Sequence, residues 1–182
     1  ESVLIDFGTA DKYSEKPAVG GASAPDPKHH ETYTLQPTGG PPIGTLKYSS
    51  IDAHAQVKVI SRRSDLEALG YMVLNLVGVL PWGTSTDHRG VGAVKAAHFP
   101  SANGKGLATK EAATNAKGLI ATCAIPVNLA AVCTDYMAAV YALDYTSEPD
   151  YTAILKIIAS AKPIAGGGGS AMKKKTSKKT SK

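Results

Sequence analysis

The stretch S-R-R-S-D-L-E-A-L-G-Y-M-V-L-N-L-V-G-V-L-P-W, residues 61–82, limits what this chain can become more than any other. From Ala68 to Val79 it is apolar on every side of a helix, broken only by Gly70, Asn75 and Gly78. The apolar run ends at Trp82 after fifteen residues and contains Pro81. A membrane span needs about 18 or more, so a core helix is the expectation. Ser64 is placed to N-cap it, with Glu67 at the capping-box position three residues on. Pro81 is placed to end it. A helix apolar all round is expected to be buried all round.

The remaining segments are mostly helical. Val3-Leu4-Ile5 reads as a short buried strand that delivers Asp6 to a turn through Phe7 and Gly8. Residues 9–42 hold six prolines and read as one long surface loop. Gly44 to His54 returns the chain to order, with Ser50 or Asp52 able to cap a short helix. Gly83 to Lys105 shows no clear period. Helices are expected over Lys110–Cys123, Pro126–Leu143 and Asp150–Ala161. Between the last two, L-D-Y-T-S-E-P-D-Y supplies a turn through Pro149 and a capping Ser147. One strand, one long loop and about four helices do not make a self-sufficient layer, because a lone strand needs partners. Glu1 also stands immediately before the strand, so the chain reads as a piece of something longer.

Charge and cysteines narrow the function classes. The net charge of +5 is smaller than the contribution of Lys173, Lys174, Lys175, Lys178, Lys179 and Lys182, so the part before the tail is slightly acidic. That distribution argues against a folded nucleic-acid reader, whose basic residues line a folded face. The tail suits a solvated charge run, nuclear import or weak salt-dependent attraction to nucleic acid. The G-G-G-G-S tether also fits an engineered linker. Cys123 and Cys133 have no metal-binding spacing and sit in apolar surroundings, as core thiols in a reducing compartment do. Adjacent His29 and His30 before Glu31 share no helix face, which disfavours a metal site.

These pieces stand in the order found in the C-terminal lobe of a protein kinase. Asp6-Phe7-Gly8 is similar to the metal-binding motif that opens the kinase activation segment. G-T-L-K-Y-S-S-I-D-A-H onward to Trp82 closely resembles the casein kinase I superfamily, where Ser-Ile-Asp or Ser-Ile-Asn replaces Ala-Pro-Glu. Within it, S-I-D-A-H and L-D-Y-T-S-E-P-D-Y look most like the vaccinia-related kinases. The resemblance runs from Val3 to about Ala161 and is poor over Lys16–Pro42 and Gly83–Lys105. Phe7 stands where vaccinia-related kinases often carry tyrosine. Lys47 stands where they tend to be acidic, closer to the basic residue casein kinase I uses for acidic or phosphorylated substrates.

The resemblance implies a mainly α, partial protein-kinase-like fold over residues 1–163, the C-lobe from the activation segment onward. The activation segment would be residues 6–52 and the buried core helix 64–80, with linker and lysine tail over 164–182. Asp6 would ligate the Mg²⁺ that orients the phosphates of ATP; read alone it is an aspartate in a strand-to-turn connection. Gly8 gives the turn its freedom and Phe7 packs in the core. Thr45 would help place the acceptor hydroxyl, or is merely a β-branched loop residue. Lys47 would contact substrate. Asp65 would hold the catalytic loop by hydrogen bonds and so support the site structurally. Arg62 and Arg63 pair with acidic neighbours, contact a phosphorylated loop, or form a solvated turn.

The glycine-rich cover, the phosphate-binding lysine and the loop bearing the base aspartate and second metal ligand are not recognisable in these residues. In kinases these parts precede the Asp-Phe-Gly motif, so the base aspartate is expected upstream of Glu1 and no catalytic residue within the chain. The expectation is therefore part of an ATP- and Mg²⁺-dependent serine/threonine kinase that is inactive alone. Its partners would be protein substrates, in keeping with the family chromatin-associated ones, and no membrane. It would be nuclear, otherwise cytoplasmic. The alternatives are a non-catalytic binding module or a fragment tethered to chromatin by its tail.

Overall fold

The computed structural model describes residues 33–42, 44–100 and 103–161. Glu1, the strand expected at Val3–Ile5, the Asp6-Phe7-Gly8 motif, His29 to Glu31 and the lysine tail lie outside the described residues. Six helices follow one another among those described: α1 (Ile51–His54), α2 (Arg62–Val77), α3 (His88–His98), α4 (Thr109–Thr122), α5 (Val127–Tyr141) and α6 (Tyr151–Ala159). Among the described residues the only β pairing is one antiparallel bridge, Leu35 to Val57. The mainly α reading holds.

The long apolar helix forms with different ends. Its cap is Ser61, whose Oγ accepts the Ser64 amide at 3.4 Å. Starting there brings Arg63 into the first turn, where its guanidinium meets a buried carboxylate. Ser64 becomes an inward-facing residue, donating to Asp52 Oδ2 at 2.7 Å. Glu67 is buried rather than reaching back to the cap. The helix stops at Val77, short of Pro81, because Gly78 is pressed against the end of α4. A Cβ on Gly78 would fall 2.4 Å from the Cys123 carbonyl oxygen, which also accepts the Val79 amide at 2.7 Å. The core helix is thus 62–77 rather than 64–80.

Burial on every side does not hold for α2. Leu66, Gly70, Tyr71 and Leu74 are buried, while Leu69, Met72 and Val73 are about two-fifths exposed and Leu76 is 74% exposed. The reason is that only α1 and α5 among the described helices pack against it. The inner face joins a core with Trp82, Phe99, Leu119, Met137, Val140 and Tyr141. Cys123 and Cys133 lie in that core as free thiols, and burial pushes the Cys123 thiol up to about 11.

Helix α3 occupies the segment in which no period was legible. Asp87 Oδ1 caps it by accepting the Arg89 amide at 3.0 Å. Its buried positions are Val91 and Lys95, and a lysine there erases the apolar signal. Helices α4 to α6 fall within two residues of expectation. The cap of α6 is Asp150, accepting the Ala153 amide at 2.9 Å, whereas Ser147 Oγ accepts the Asp144 amide. Ser147 therefore caps the turn and not the helix.

Arg63 binds these pieces together. It is wholly buried, and Nη2 donates to both Asp52 oxygens, at 2.6 and 2.7 Å. Nη1 donates to the carbonyls of Gly104 at 3.1 Å and Leu143 at 3.2 Å. The Phe99 ring lies 5.2 Å from the guanidinium. Of the three readings open for Arg62 and Arg63, Arg63 takes the paired one.

Two measurements check this architecture. Asp52→Ala should lower the unfolding free energy in urea by about 3–5 kcal/mol, because it leaves the guanidinium buried and uncompensated. The second concerns Glu67, whose Oε1 accepts the Ile51 amide at 2.9 Å and the Tyr71 hydroxyl at 2.7 Å. Burial pushes its carboxyl up to about 7, from 4.5. The fold binds this proton more tightly than the unfolded chain, so the stabilisation is lost as pH rises through about 7. The melting temperature of Glu67→Gln minus that of the parent should therefore rise between pH 5 and 8. Taking the difference removes His54, whose lowered pKa acts in the opposite sense over the lower part of that range.

Candidate functional site

Residues 44–50 form a tight turn at the mouth of a cleft. Gly44 adopts φ +90°, a conformation open to glycine, and lets the chain reverse. The Thr45 carbonyl then accepts the amides of Tyr48 at 2.8 Å and Ser49 at 3.0 Å, and the Ser49 hydroxyl at 3.1 Å. Ser50 caps α1, as expected, through the Ala53 amide. The cleft measures about 320 Å³ and is bounded by Gly44, Thr45 and Tyr48 on one wall and Ser64, Asp65 and Ala68 of α2 on the other.

Thr45 and Asp65, twenty residues apart, thus face one cavity. Both are exposed. Desolvation nevertheless raises the Asp65 pKa above the usual carboxylate value. Among the described residues no donor reaches its carboxylate, so the hydrogen bonds expected of it are not among them. Lys47 is half-buried and does not line the cleft; its ammonium lies 6.0 Å from the Tyr48 ring centroid. What the fold holds is its carbonyl, which accepts the Trp82 indole N–H at 2.9 Å.

The turn is gripped from beneath by residues the sequence did not single out. Asn75 Nδ2 donates to the Tyr48 hydroxyl at 3.1 Å. Lys95, wholly buried, donates to the carbonyls of Leu46 at 3.0 Å and Ser49 at 2.6 Å. It also lies 3.3 Å from His54 Nε2. Burial, and then the Lys95 charge, push His54 down to about 4, so at neutral pH the imidazole is uncharged and accepts. A lone lysine four residues after Val91, set among alanines, was the available signal.

No group of three or more His, Cys, Asp or Glu among the described residues is arranged to hold a metal ion. Asp6, the residue the resemblance assigns to Mg²⁺, lies outside them together with Phe7 and Gly8. Glu1 lies outside them too, so the expectation of a base aspartate upstream of it stays one drawn from the resemblance. The cleft offers hydroxyl and carboxylate groups able to position a hydroxylated chain, and no phosphate cradle among the described residues.

No family model matches the chain. It is 35% identical over 152 residues to a probable serine/threonine-protein kinase of Fowlpox virus (strain NVSL), covering 83% of this chain and 40% of that protein. It is 32% identical over 152 residues to nucleosomal histone kinase 1 of Drosophila melanogaster, covering 83% of this chain and 20% of the relative. Over 55 residues it is 47% identical to serine/threonine-protein kinase VRK2 of Homo sapiens, covering 30% of this chain and 10% of that kinase. The chain spans two-fifths or less of the length of these relatives. With a helical fold and these matches, the chain belongs to the vaccinia-related, casein kinase I-like family of protein kinases.

Proposed function

We propose that this chain is the acceptor-binding side of a serine/threonine kinase catalytic domain that transfers the γ-phosphate of ATP to protein hydroxyls. The observation that carries the reading is Thr45 facing Asp65 across one cleft. In it, the Thr45 hydroxyl steers the acceptor hydroxyl, and the Asp65 carboxylate anchors the backbone of the segment that bears the base. Lys47 favours acidic acceptors. Asp6 would contribute an oxygen ligand to Mg²⁺, with Gly8 freeing the turn behind it and Phe7 packed in the core. When bound, Mg-ATP supplies the phosphoryl group.

The exposed apolar face of α2 supports a larger catalytic domain, because Leu69, Met72 and Leu76 need cover. The relatives' length supports it too. The base aspartate and second metal ligand are not recognisable in these 182 residues, which supports reading this stretch as inactive on its own. The name of the Drosophila relative supports nucleosomal acceptors and a nuclear setting. Among the described residues no helix is long and apolar enough to cross a membrane.

The chain incubated alone with Mg-ATP and a histone acceptor should incorporate no phosphate. Exchanged for the matched 152 residues of the fowlpox kinase, it should restore transfer. In that chimera Thr45→Ala should lower kcat/KM for acceptor by about 10²-fold through misplacement of the hydroxyl, with KM for ATP unchanged. A folded chimera that transfers no phosphate overturns the reading. Separately, removing residues 173–182 should abolish nucleic-acid affinity together with its salt dependence; affinity that survives rules the tail out.

A further inference from the structure

Among the described residues no carboxylate is bonded to the buried ammonium of Lys95. It carries three protons and no lone pair. Three acceptors meet it: Leu46 O at 3.0 Å, Ser49 O at 2.6 Å and His54 Nε2 at 3.3 Å. The rings of Tyr71 and Trp82 close the site, with centroids 4.9 and 5.2 Å away. Leu46 and Ser49 flank Lys47 and Tyr48, so both ends of the turn that follows Thr45 are drawn onto one charge. Trp82 adds a third bond to the same turn through the Lys47 carbonyl.

We propose that Lys95 is the positioning residue that sets the acceptor-side turn, residues 44–50, against α2, a role that rests on reading this turn as the acceptor side. Lysine is needed there because a single ammonium satisfies two turn carbonyls and the His54 ring at once. An apolar side chain of the same length fills the space but leaves those carbonyls without a donor. A planar guanidinium presents its donors in a fixed fork that does not converge on one point.

The titratable groups facing Lys95 are His54 from α1 and Glu67 and Tyr71 from α2. His54 stays neutral above about 4, its ring also bonded to the His88 backbone, and so remains an acceptor through the neutral range. The Tyr71 hydroxyl is held well above its ordinary value by burial. Burial lowers Lys95 itself to about 8, and the Glu67 charge opposes that lowering. A deprotonated amine keeps two N–H groups and presents a lone pair to the third acceptor. One of the three bonds is then lost and the turn loosens.

Carbonyl-detected NMR on the full 182-residue chain, labelled with carbon-13, tests this directly. The Lys95 Cε signal and the carbonyl signals of Leu46, Lys47 and Ser49 should move together between pH 7 and 9.5, with one midpoint near 8. Carbonyls within α5 should stay fixed. Lys95→Met should show displaced Leu46 and Ser49 carbonyls at pH 7 and no further transition. Glu67→Gln should move the midpoint down without removing it, which separates the two titrations. The parent titration stands by itself if Lys95→Met does not fold. Turn carbonyls that ignore the Lys95 titration, or that show the same transition in Lys95→Met, overturn the proposal. None of these readouts involves phosphate transfer, so failure of the chimera and failure of Lys95 to hold the turn are separate results.

Discussion

The buried pair of Arg63 and Asp52 is the interaction on which the rest of the structure depends. A guanidinium taken fully out of water is tolerable only where carboxylate and carbonyl oxygens replace its hydration. Asp52 supplies the charge from α1, while the carbonyls of Gly104 and Leu143 supply acceptors from two connections further along the chain. One side chain therefore fixes α1, the start of α2 and the loops before α4 and after α5. Direction matters as well as strength, because a planar fork accepts partners only in its own plane. With Ser61 as the cap, Arg63 stands in the first turn of α2 and reaches Asp52 from there.

The turn at residues 44–50 inherits its place from that anchor. Asp52 holds α1, Glu67 receives the first amide of α1, and Lys95 draws in the two carbonyls just ahead of it. A polar layer of Asp52, Glu67 and Lys95 thus lies beneath exposed Thr45 and half-buried Lys47. Polar groups in such a layer are costly when left unpaired and orienting when satisfied. The cleft is defined by that layer more than by the apolar core, which lies deeper and mainly joins α2 to α5 and α4 to α5.

Much of the helical framework was legible in the sequence, and for different reasons at different places. Helices α4 to α6 show themselves by apolar spacing and flanking breakers. The apolar run of α2 announces a core helix, although composition alone cannot say that only two of the described helices will cover it. Helix α3 stayed hidden because its buried positions are Val91 and Lys95, and the glycines around them carry no period. Thr45 and Asp65 were legible through family resemblance, not through chemistry readable from twenty residues of separation. Lys95 left only the faint trace of a lone lysine four residues after Val91, because nothing local distinguishes a buried lysine from a solvated one.

The sequence by itself determined the family and the helical class, and through the family resemblance it pointed to Thr45 and Asp65, because those follow from motif order and apolar patterning along the chain. Tertiary structure alone decided which charges are buried, which serine caps α2, which face of α2 lies open and what grips the Thr45 turn. The physical reason is common to all four. A buried ion pair, a bonded ammonium and a covered helix face depend on partners outside their own segment, and the cap of α2, a contact of only three residues, goes to the serine that leaves Arg63 in the first turn beside Asp52, so no local pattern encodes them.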